Sequence, residues 1–363
     1  MNKIRFGIVG VGVMGKNHAD SLLNDEVKDG VLTAVYDIDP SKAEWLKEKG
    51  VKVFDSAVNM FKSGEVDAVI IATPHYFHPP LAMEAFSHNL HVMIEKPAGV
   101  YTKQVREMNE AAAKVDRVFG IMFQQRTNSD FQKMREMVLA GELGEIKRTN
   151  WIITDWYRPQ AYYNTGGWRA TWKGEGGGVL LNQCPHNLDL WQWICGMPNK
   201  VTAFCHEGKW HDIEVEDDVT AYVEYPNGAT GVFVTSTADA PGTNRFEILG
   251  DKGKLVYEKG ILEFYRLEQS ERVFNKENTV MFGSPAFTPE IIETEKKYTA
   301  HPGALAAFVD KILGRGELYA CGEEGMNGLM LSNAMHLSAW LGKTIALPFD
   351  EELFLTELRK KFR

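Results

Sequence analysis

Residues 4 to 15 read Ile-Arg-Phe-Gly-Ile-Val-Gly-Val-Gly-Val-Met-Gly, an apolar strand running directly into G-x-G-x-x-G. Few local folds accept that pattern. Gly10 permits a tight strand-to-helix turn, Gly12 lets backbone approach a pyrophosphate, and Gly15 lets the following helix pack against the strand. The helix then directs its first N–H groups, around Val13 and Met14, toward the phosphates. A dinucleotide site is the expectation.

The surrounding sequence strengthens it. Leu32 to Tyr36 is a second apolar run, and Asp37 stands 22 residues beyond Gly15, where a ribose-binding carboxylate belongs. With Asp39 and Pro40 it also reads as a strand-end turn. A carboxylate there accepts from ribose hydroxyls and repels a 2′-phosphate, and Ile38 supplies no arginine to reverse the preference, so NAD is expected over NADP.

From residue 4 to about 123, strands at 4–9, 31–36, 51–53, 66–72, 91–94 and 118–122 alternate with helices at 15–24, 41–49, 56–63, 78–88 and 102–115. This predicts a Rossmann-type, doubly wound parallel α/β sheet over residues 1–123. A helix over 128–140 follows, ended by Gly141 and Gly144. The texture then changes to mostly antiparallel strands near 146–155, 200–206, 217–225, 229–237, 245–249, 253–257 and 261–266. Pro226-Asn227-Gly228 and Gly250-Asp251-Lys252-Gly253 mark hairpins. Helices are expected at 178–194, 302–313 and 322–341, and a charged surface excursion over 268–299. Residues 124–363 thus read as an α+β substrate-binding and oligomerisation domain, an open sheet with helices on one face. A second copy could cover the other face, as a homodimer or homotetramer.

The bulk numbers agree with two globular domains: 363 residues, 44% of them hydrophobic. A net charge of −9 without a basic block argues against nucleic acid and anionic membranes as partners. Four cysteines without C-x-x-C spacing, no leader before the first strand and no apolar run near the roughly 18 residues of a spanning helix point to a reduced, cytoplasmic protein.

Two loops leave the carboxyl ends of parallel strands, the edge where such sheets bind ligands. After Val69 to Ala72 comes Thr73-Pro74-His75-Tyr76-Phe77-His78, and after 91–94 comes Glu95-Lys96-Pro97. Thr73, Pro74, His78, Glu95 and Lys96 are therefore expected beside the nicotinamide half of the cofactor. Lys96, framed by an apolar strand and a proline, is held near the sheet edge, where desolvation and a cationic nicotinamide favour its neutral form.

Taken together, these residues resemble the glucose-fructose oxidoreductase and inositol dehydrogenase (Gfo/Idh/MocA) family over nearly the whole chain. The motifs that carry the resemblance are Gly10-Val11-Gly12-Val13-Met14-Gly15, the Ala72-Thr73-Pro74 loop with His78, Glu95-Lys96-Pro97, Gly141-Glu142-Leu143-Gly144, and Gly176-Gly177-Gly178 followed by His186 and Asp189. The resemblance implies NAD(P)-dependent oxidation or reduction of a sugar, cyclitol or related polyol. It also implies that Lys96 is the catalytic lysine and that Asn182 to His186 line the site.

One departure matters. The family pattern has an aspartate four residues before the histidine, and this chain has Asn182. A spacing of four puts Asn182 and His186 on one helix face, yet an amide orients a hydroxyl without exchanging protons. His186, aided by Lys96, is then the expected proton acceptor. Cys184 and His186, two apart, face different sides of a helix, so no metal is expected.

Six of nine tryptophans fall between 151 and 193. Aromatic faces pack on pyranose C–H patches. Trp191 and Trp193 read as core, while Tyr157, Arg158, Trp168 and Arg169, in loop-like surroundings, are the expected substrate contacts. The leading expectation is an NAD-dependent dehydrogenase acting at a ring secondary alcohol. A glycoside hydrolase using transient oxidation and elimination is the alternative, and a non-catalytic sensor of dinucleotide and sugar is a third reading.

Overall fold

A six-stranded parallel sheet forms where apolar runs alternate with helices. The computed structural model describes residues 3–362. In chain order come β1 (Ile4–Val9), α1 (Val13–Leu23), β2 (Gly30–Tyr36), α2 (Glu44–Lys47), β3 (Lys52–Val53) and α3 (Ala57–Lys62). Then follow β4 (Ala68–Ile71), α4 (His78–Ser87), β5 (His91–Ile94), α5 (Thr102–Ala112) and β6 (Phe119–Ile121). The strands lie in the order β3-β2-β1-β4-β5-β6, every pair parallel. The order reverses between β1 and β4, which makes that boundary the switch point of the sheet. Phe6, Ile8 and all of Ala68–Ile71 are buried, as unbroken apolar strands must be when helices cover both faces.

The remaining elements are α6 (Ser129–Leu139), β7 (Ile146–Ile153), α7 (Gln160–Tyr163), α8 (Pro185–Cys195), β8 (Lys200–Glu207), β9 (Glu216–Glu224) and β10 (Thr230–Ser236). After them come β11 (Asn244–Gly250), β12 (Gly253–Glu258), β13 (Ile261–Leu267), α9 (Glu271–Glu277), β14 (Phe287–Ile291), α10 (Ala300–Ile312), α11 (Gly325–Leu341), β15 (Ile345–Ala346) and α12 (Glu351–Lys360). Nine strands make one sheet in the order β14-β13-β12-β11-β7-β10-β9-β8-β15. It is antiparallel except for β7 against β10.

On the inner face of this sheet Trp151 stacks on Phe246, ring centroids 4.3 Å apart, and Trp191 of α8 stacks on Phe233 at 5.3 Å. The Trp191 indole also donates to Thr149 Oγ1 at 3.0 Å, so this tryptophan is core, as its helix position suggested. The outer face differs. Phe204, Thr220, Val234 and Ile152 lie side by side across β8, β9, β10 and β7, with Phe204 65% and Ile152 40% exposed.

The chain divides into two compact units, and it passes between them more often than one boundary near residue 124 would allow. The first unit holds the residues up to Thr127, Gly174–Gly176 and Tyr298–Leu329; the second holds Asn128–Lys173, Gly177–Lys297 and the residues from Met330. Helix α10, read from sequence with the second domain, belongs to the first. Its stripe of Ala304, Leu305, Phe308 and Val309 joins Phe6 and Ile8 in one core.

Other local expectations also change. The helix predicted over 178–194 begins only at Pro185, because a proline lacks the N–H that would continue a helix through it and is suited to a first helical position. Residues 178–184 form turns instead. The 268–299 excursion contains α9 and the edge strand β14, whose residues are nearly all exposed and carry no alternation to read. Helix α12 was not anticipated either, although Asp350 caps it through Glu352 and Leu353 N–H.

Phe308→Ala tests the membership of α10. Phe308 is fully buried with its ring centroid 6.2 Å from that of Phe6, and its truncation is expected to cost about 3–5 kcal/mol, read as earlier denaturant unfolding of the first unit.

Candidate functional site

At the switch point, Gly10 follows β1 with φ +90°, and a Cβ on it would lie 2.6 Å from the Ala72 carbonyl oxygen. A Cβ on Gly15 would overlap the Gly10 carbonyl oxygen, whereas one on Gly12 would meet nothing within 4 Å. The first and third glycines are thus required by packing, and the second leaves open space for a ligand. Gly12 also stands at the N-cap of α1 without a side-chain cap, so the first-turn N–H groups, including those of Val13 and Met14, are available to an anion.

Asp37 ends β2 and is 8% exposed. Its Oδ2 accepts from Val11 N–H at 2.6 Å and its Oδ1 from Asp39 N–H at 2.8 Å, with Lys42 Nζ 3.9 Å away. Both readings of this residue hold at the level of geometry: it shapes the turn, and a carboxylate has further lone pairs for ribose hydroxyls. Thr73, after β4, has a buried hydroxyl without a partner among the described residues. Uncapped amides, a carboxylate at the strand end and an orphaned hydroxyl on one sheet edge fit the phosphates and ribose of a dinucleotide.

Lys96 leaves the next strand over. Since β1, β4 and β5 are adjacent and parallel, Gly10, Thr73 and Glu95-Lys96 follow three neighbouring carboxyl ends. At about 4.8 Å per strand, Lys96 stands roughly 10 Å along this edge from the glycine turn. Glu95 fixes it there. The Glu95 carboxylate is 4% exposed, bonds His18 Nε2 at 2.7 Å and accepts from Lys96 N–H at 3.1 Å. Burial pushes the carboxyl up, but the His18 hydrogen bond and the charges of His18, Lys96 and His301 outweigh it and hold Glu95 at about 2.

His78, expected at the cofactor, is a brace. Its ring is fully buried, with Nδ1 2.7 Å from Pro97 O and Nε2 2.7 Å from Thr73 O, so it ties the loops after β4 and β5 together. Burial pushes this imidazole below its ordinary value. Pro74 caps the short 3-10 turn His75–Phe77 that leads into α4.

In the second unit, the turn carrying Asn182 is fastened by a carboxylate that the sequence did not single out. Glu216, fully buried at the start of β9, accepts from Gly178 N–H at 2.9 Å and Leu180 N–H at 3.0 Å, and His336 Nε2 lies 3.0 Å from it. A Cβ on Gly178 would overlap the Glu216 carbonyl oxygen, which explains one of the three glycines. His186 occupies the first turn of α8 and is 6% exposed, while Asn182 precedes the helix in the turn. The two are therefore not on one regular helix.

Asp217 does the same for another loop. It accepts from Lys209, Trp210 and His211 N–H at 2.9–3.0 Å and bonds His211 Nδ1 at 2.9 Å. His211 Nε2 then reaches Arg158 O at 2.8 Å, and Arg158 N–H donates to Thr237 O at 2.8 Å. The backbone at Arg158 is thus fixed at two points. Its guanidinium lies 5.5 Å from the Trp156 ring centroid and 5.2 Å from that of Tyr162, and Arg169 lies 4.5 Å from Tyr162 and 4.9 Å from Trp168. Tyr157 is 50% exposed beside them. Nothing in the sequence distinguishes Glu216, Asp217 or His211 from surface residues; His18 alone left a trace, a polar residue beside Ala19 and Leu22 on the buried face of α1.

The fold and this sheet edge define a dinucleotide-binding enzyme class, and comparison with known proteins places the chain within it. Residues 4–123 match the family model described as "Oxidoreductase family, NAD-binding Rossmann fold", and residues 131–256 match the "GFO/IDH/MocA C-terminal domain". The chain belongs to the Gfo/Idh/MocA oxidoreductase family, and its cofactor is NAD. It is 28% identical over 370 residues to D-glucoside 3-dehydrogenase of Escherichia coli K12, covering 95% of this chain and 97% of that one. It is 26% identical over 262 residues to myo-inositol 2-dehydrogenase of Thermotoga maritima, covering 69% and 74%. Among solved structures, the WlbA dehydrogenase of Chromobacterium violaceum, crystallised with NADH and UDP-GlcNAcA, superposes with a TM-score of 0.84 at 29% identity, covering 96% of this chain and 97% of that one. Among the described residues no helix is long and apolar enough to cross a membrane.

The Glu95 carboxyl sits below its ordinary value of 4.5, so its contribution to stability is full above about pH 4.5 and is lost as pH falls toward 2. Glu95→Gln is expected to remove roughly 3 kcal/mol of that pH dependence, checked by comparing denaturant unfolding of parent and variant between pH 4.5 and 2.

Proposed function

We propose that this enzyme oxidises a ring secondary alcohol of a sugar, glycoside or cyclitol with NAD. The observation that carries the reading is Lys96, anchored through Glu95 on the sheet edge it shares with the glycine turn and Thr73. The relatives support the substrate class: one is named for oxidising D-glucosides, another for inositol, and the WlbA proteins of Chromobacterium violaceum and Bordetella pertussis hold UDP-GlcNAcA.

Bound NAD supplies the acceptor for the hydride that leaves the carbinol carbon. The protein's part is position and proton traffic. The hydroxyl proton passes to His186, aided by Lys96. Asn182 orients a hydroxyl, since its amide neither gives nor takes a proton at working pH. Asp37 holds the ribose and, with Ile38 in place of a basic residue, disfavours NADP. Gly10, Gly12, Val13, Met14 and Gly15 cradle the pyrophosphate, while Thr73 and Pro74 border the nicotinamide. Tyr157, Arg158, Trp168 and Arg169 contact the sugar.

The outer face of the nine-stranded sheet is the surface for self-association, as a homodimer or homotetramer. A contiguous row of Phe204, Thr220, Val234 and Ile152 without charge is poorly suited to water and well suited to a copy of itself. None of the four cysteines is joined to another by a disulfide, which suits the reducing cytoplasm, where we place the enzyme.

Lys96→Met is expected to lower kcat by about 10²–10⁴-fold while NAD affinity by calorimetry stays close to the parent's. Unchanged turnover would remove Lys96 from the mechanism. Product and NADH should form in equal amounts across a panel of inositols, hexoses, uronates and glycosides; product without net NADH would instead identify glycoside cleavage by transient oxidation. For assembly, light scattering of the parent should give a dimer or tetramer mass that Phe204→Glu reduces to the monomer.

A further inference from the structure

We propose that the amino-terminal edge of the parallel sheet, opposite the edge that carries the glycine turn, holds a second ligand site, which takes a phosphate monoester of a small organic molecule through Lys62, His91 and Arg117. All three residues belong to the first unit.

A cavity of about 540 Å³ opens there. That is the size of a small-molecule site and well beyond what a bare phosphate fills. Lys62 ends α3, His91 opens β5 and Arg117 lies just before β6, so three parts of the unit bring polar groups to one cavity. Phe61, Val66 and Leu90 give it an apolar side. Glu95 and Lys96 follow the other end of β5. At about 3.3 Å per residue, His91 and Lys96 stand roughly 16 Å apart along the strand, so a ligand here leaves the glycine-turn edge open.

What the cavity offers is donors. Lys62 Nζ has no ion pair or hydrogen bond among the described residues. Arg117 donates from Nε to Asn89 O at 2.6 Å and from Nη1 to Asp116 O at 2.7 Å, which fixes the guanidinium plane. Its Nη2 is left without a partner among the described residues, and no carboxylate pairs with it. His91 Nδ1 accepts from Val118 N–H at 2.9 Å, so the neutral ring carries its proton on Nε2, a donor with no acceptor among the described residues. Burial and the charge of Arg117 push this imidazole down to about 4, which keeps it in that neutral form. The carboxylate in the lining is already engaged: Asp67 Oδ1 accepts from Arg5 Nη2 at 2.7 Å, and Oδ2 from Arg5 N–H at 2.9 Å and Nε at 3.0 Å. His88 Nε2 lies 3.0 Å from Glu84 Oε1.

Two cations gathered at one cavity repel each other, and a bound dianion relieves that repulsion. A phosphate monoester brings up to two negative charges and three terminal oxygens that only accept; a carboxylate brings one charge and two oxygens. The apolar side and the volume left over suit the organic body of an ester.

The test uses the full-length protein saturated with NADH, so that the cofactor's own phosphate site is filled. Calorimetry with glycerol 3-phosphate and AMP should give saturable binding of at least one ester, tighter than inorganic phosphate and about 10-fold or more tighter than acetate. Lys62→Met and Arg117→Met should each weaken it about 10- to 100-fold, with NADH affinity unchanged. Lys62 is exposed and makes no contact to lose, so its replacement keeps the test valid if Arg117→Met fails to fold. Proton NMR should show the His91 pKa rising when the ester binds, since a dianion favours the protonated ring. Inorganic phosphate bound as tightly as both esters would assign the site to the free ion and overturn the proposal. Binding no tighter than acetate, binding that neither variant weakens, or an unmoved His91 would mean an adventitious ion only and overturn it as well.

Discussion

A carboxylate taken out of water is stable only where donors surround it, and four such groups in this chain hold the segments expected to carry its chemistry. Asp37 binds the Val11 amide in the glycine turn, Glu95 binds the Lys96 amide, Glu216 binds the amides of the turn before α8, and Asp217 binds the loop that reaches the backbone of Arg158. Each stands at the end or the start of a strand, where the sheet fixes its backbone. Loops elsewhere tolerate motion, but a loop whose N–H groups converge on a buried anion has one low-energy geometry. The segments so held therefore inherit the rigidity of the strands that carry the carboxylates.

The same device explains a division of labour along this sheet edge. Glu95 and His78 sit within the motifs that announce the family, yet their polar atoms are engaged by His18, Lys96 N–H, Thr73 O and Pro97 O. What they do in the structure is hold the two strand-end loops in place. Lys96 follows Glu95 directly, and the carbonyl oxygen of Thr73 is held by His78.

How much of this was legible depended on whether a residue's role is local. The glycine turn, Asp37, the parallel alternation and the hairpins follow from spacing, and the structure has them. Trp191 was correctly read as core, because a tryptophan among leucines on a helix has few other uses. By contrast, Glu216 and Asp217 open a strand as ordinary acidic residues, and only tertiary pairing shows that they face amides 36 to 38 positions and 6 to 8 positions away. The helix expected to join Asn182 to His186 starts only at Pro185, because a proline suits a first helical position and cannot continue a helix from the residues before it. The placement of α10 was not readable at all, since an apolar stripe does not say which sheet it covers.

That placement has a consequence for anyone dividing the molecule. The chain crosses between its compact units five times, and the unit that holds the parallel sheet is completed only when residues 298–329 have been made. A fragment stopped at Thr127 would leave Phe6 and Ile8 without the Phe308 and Val309 that share their core. An excised nucleotide-binding module would have to be built as a splice, with α10 grafted behind the first 127 residues, and during synthesis on the ribosome the N-terminal half must await its last helix.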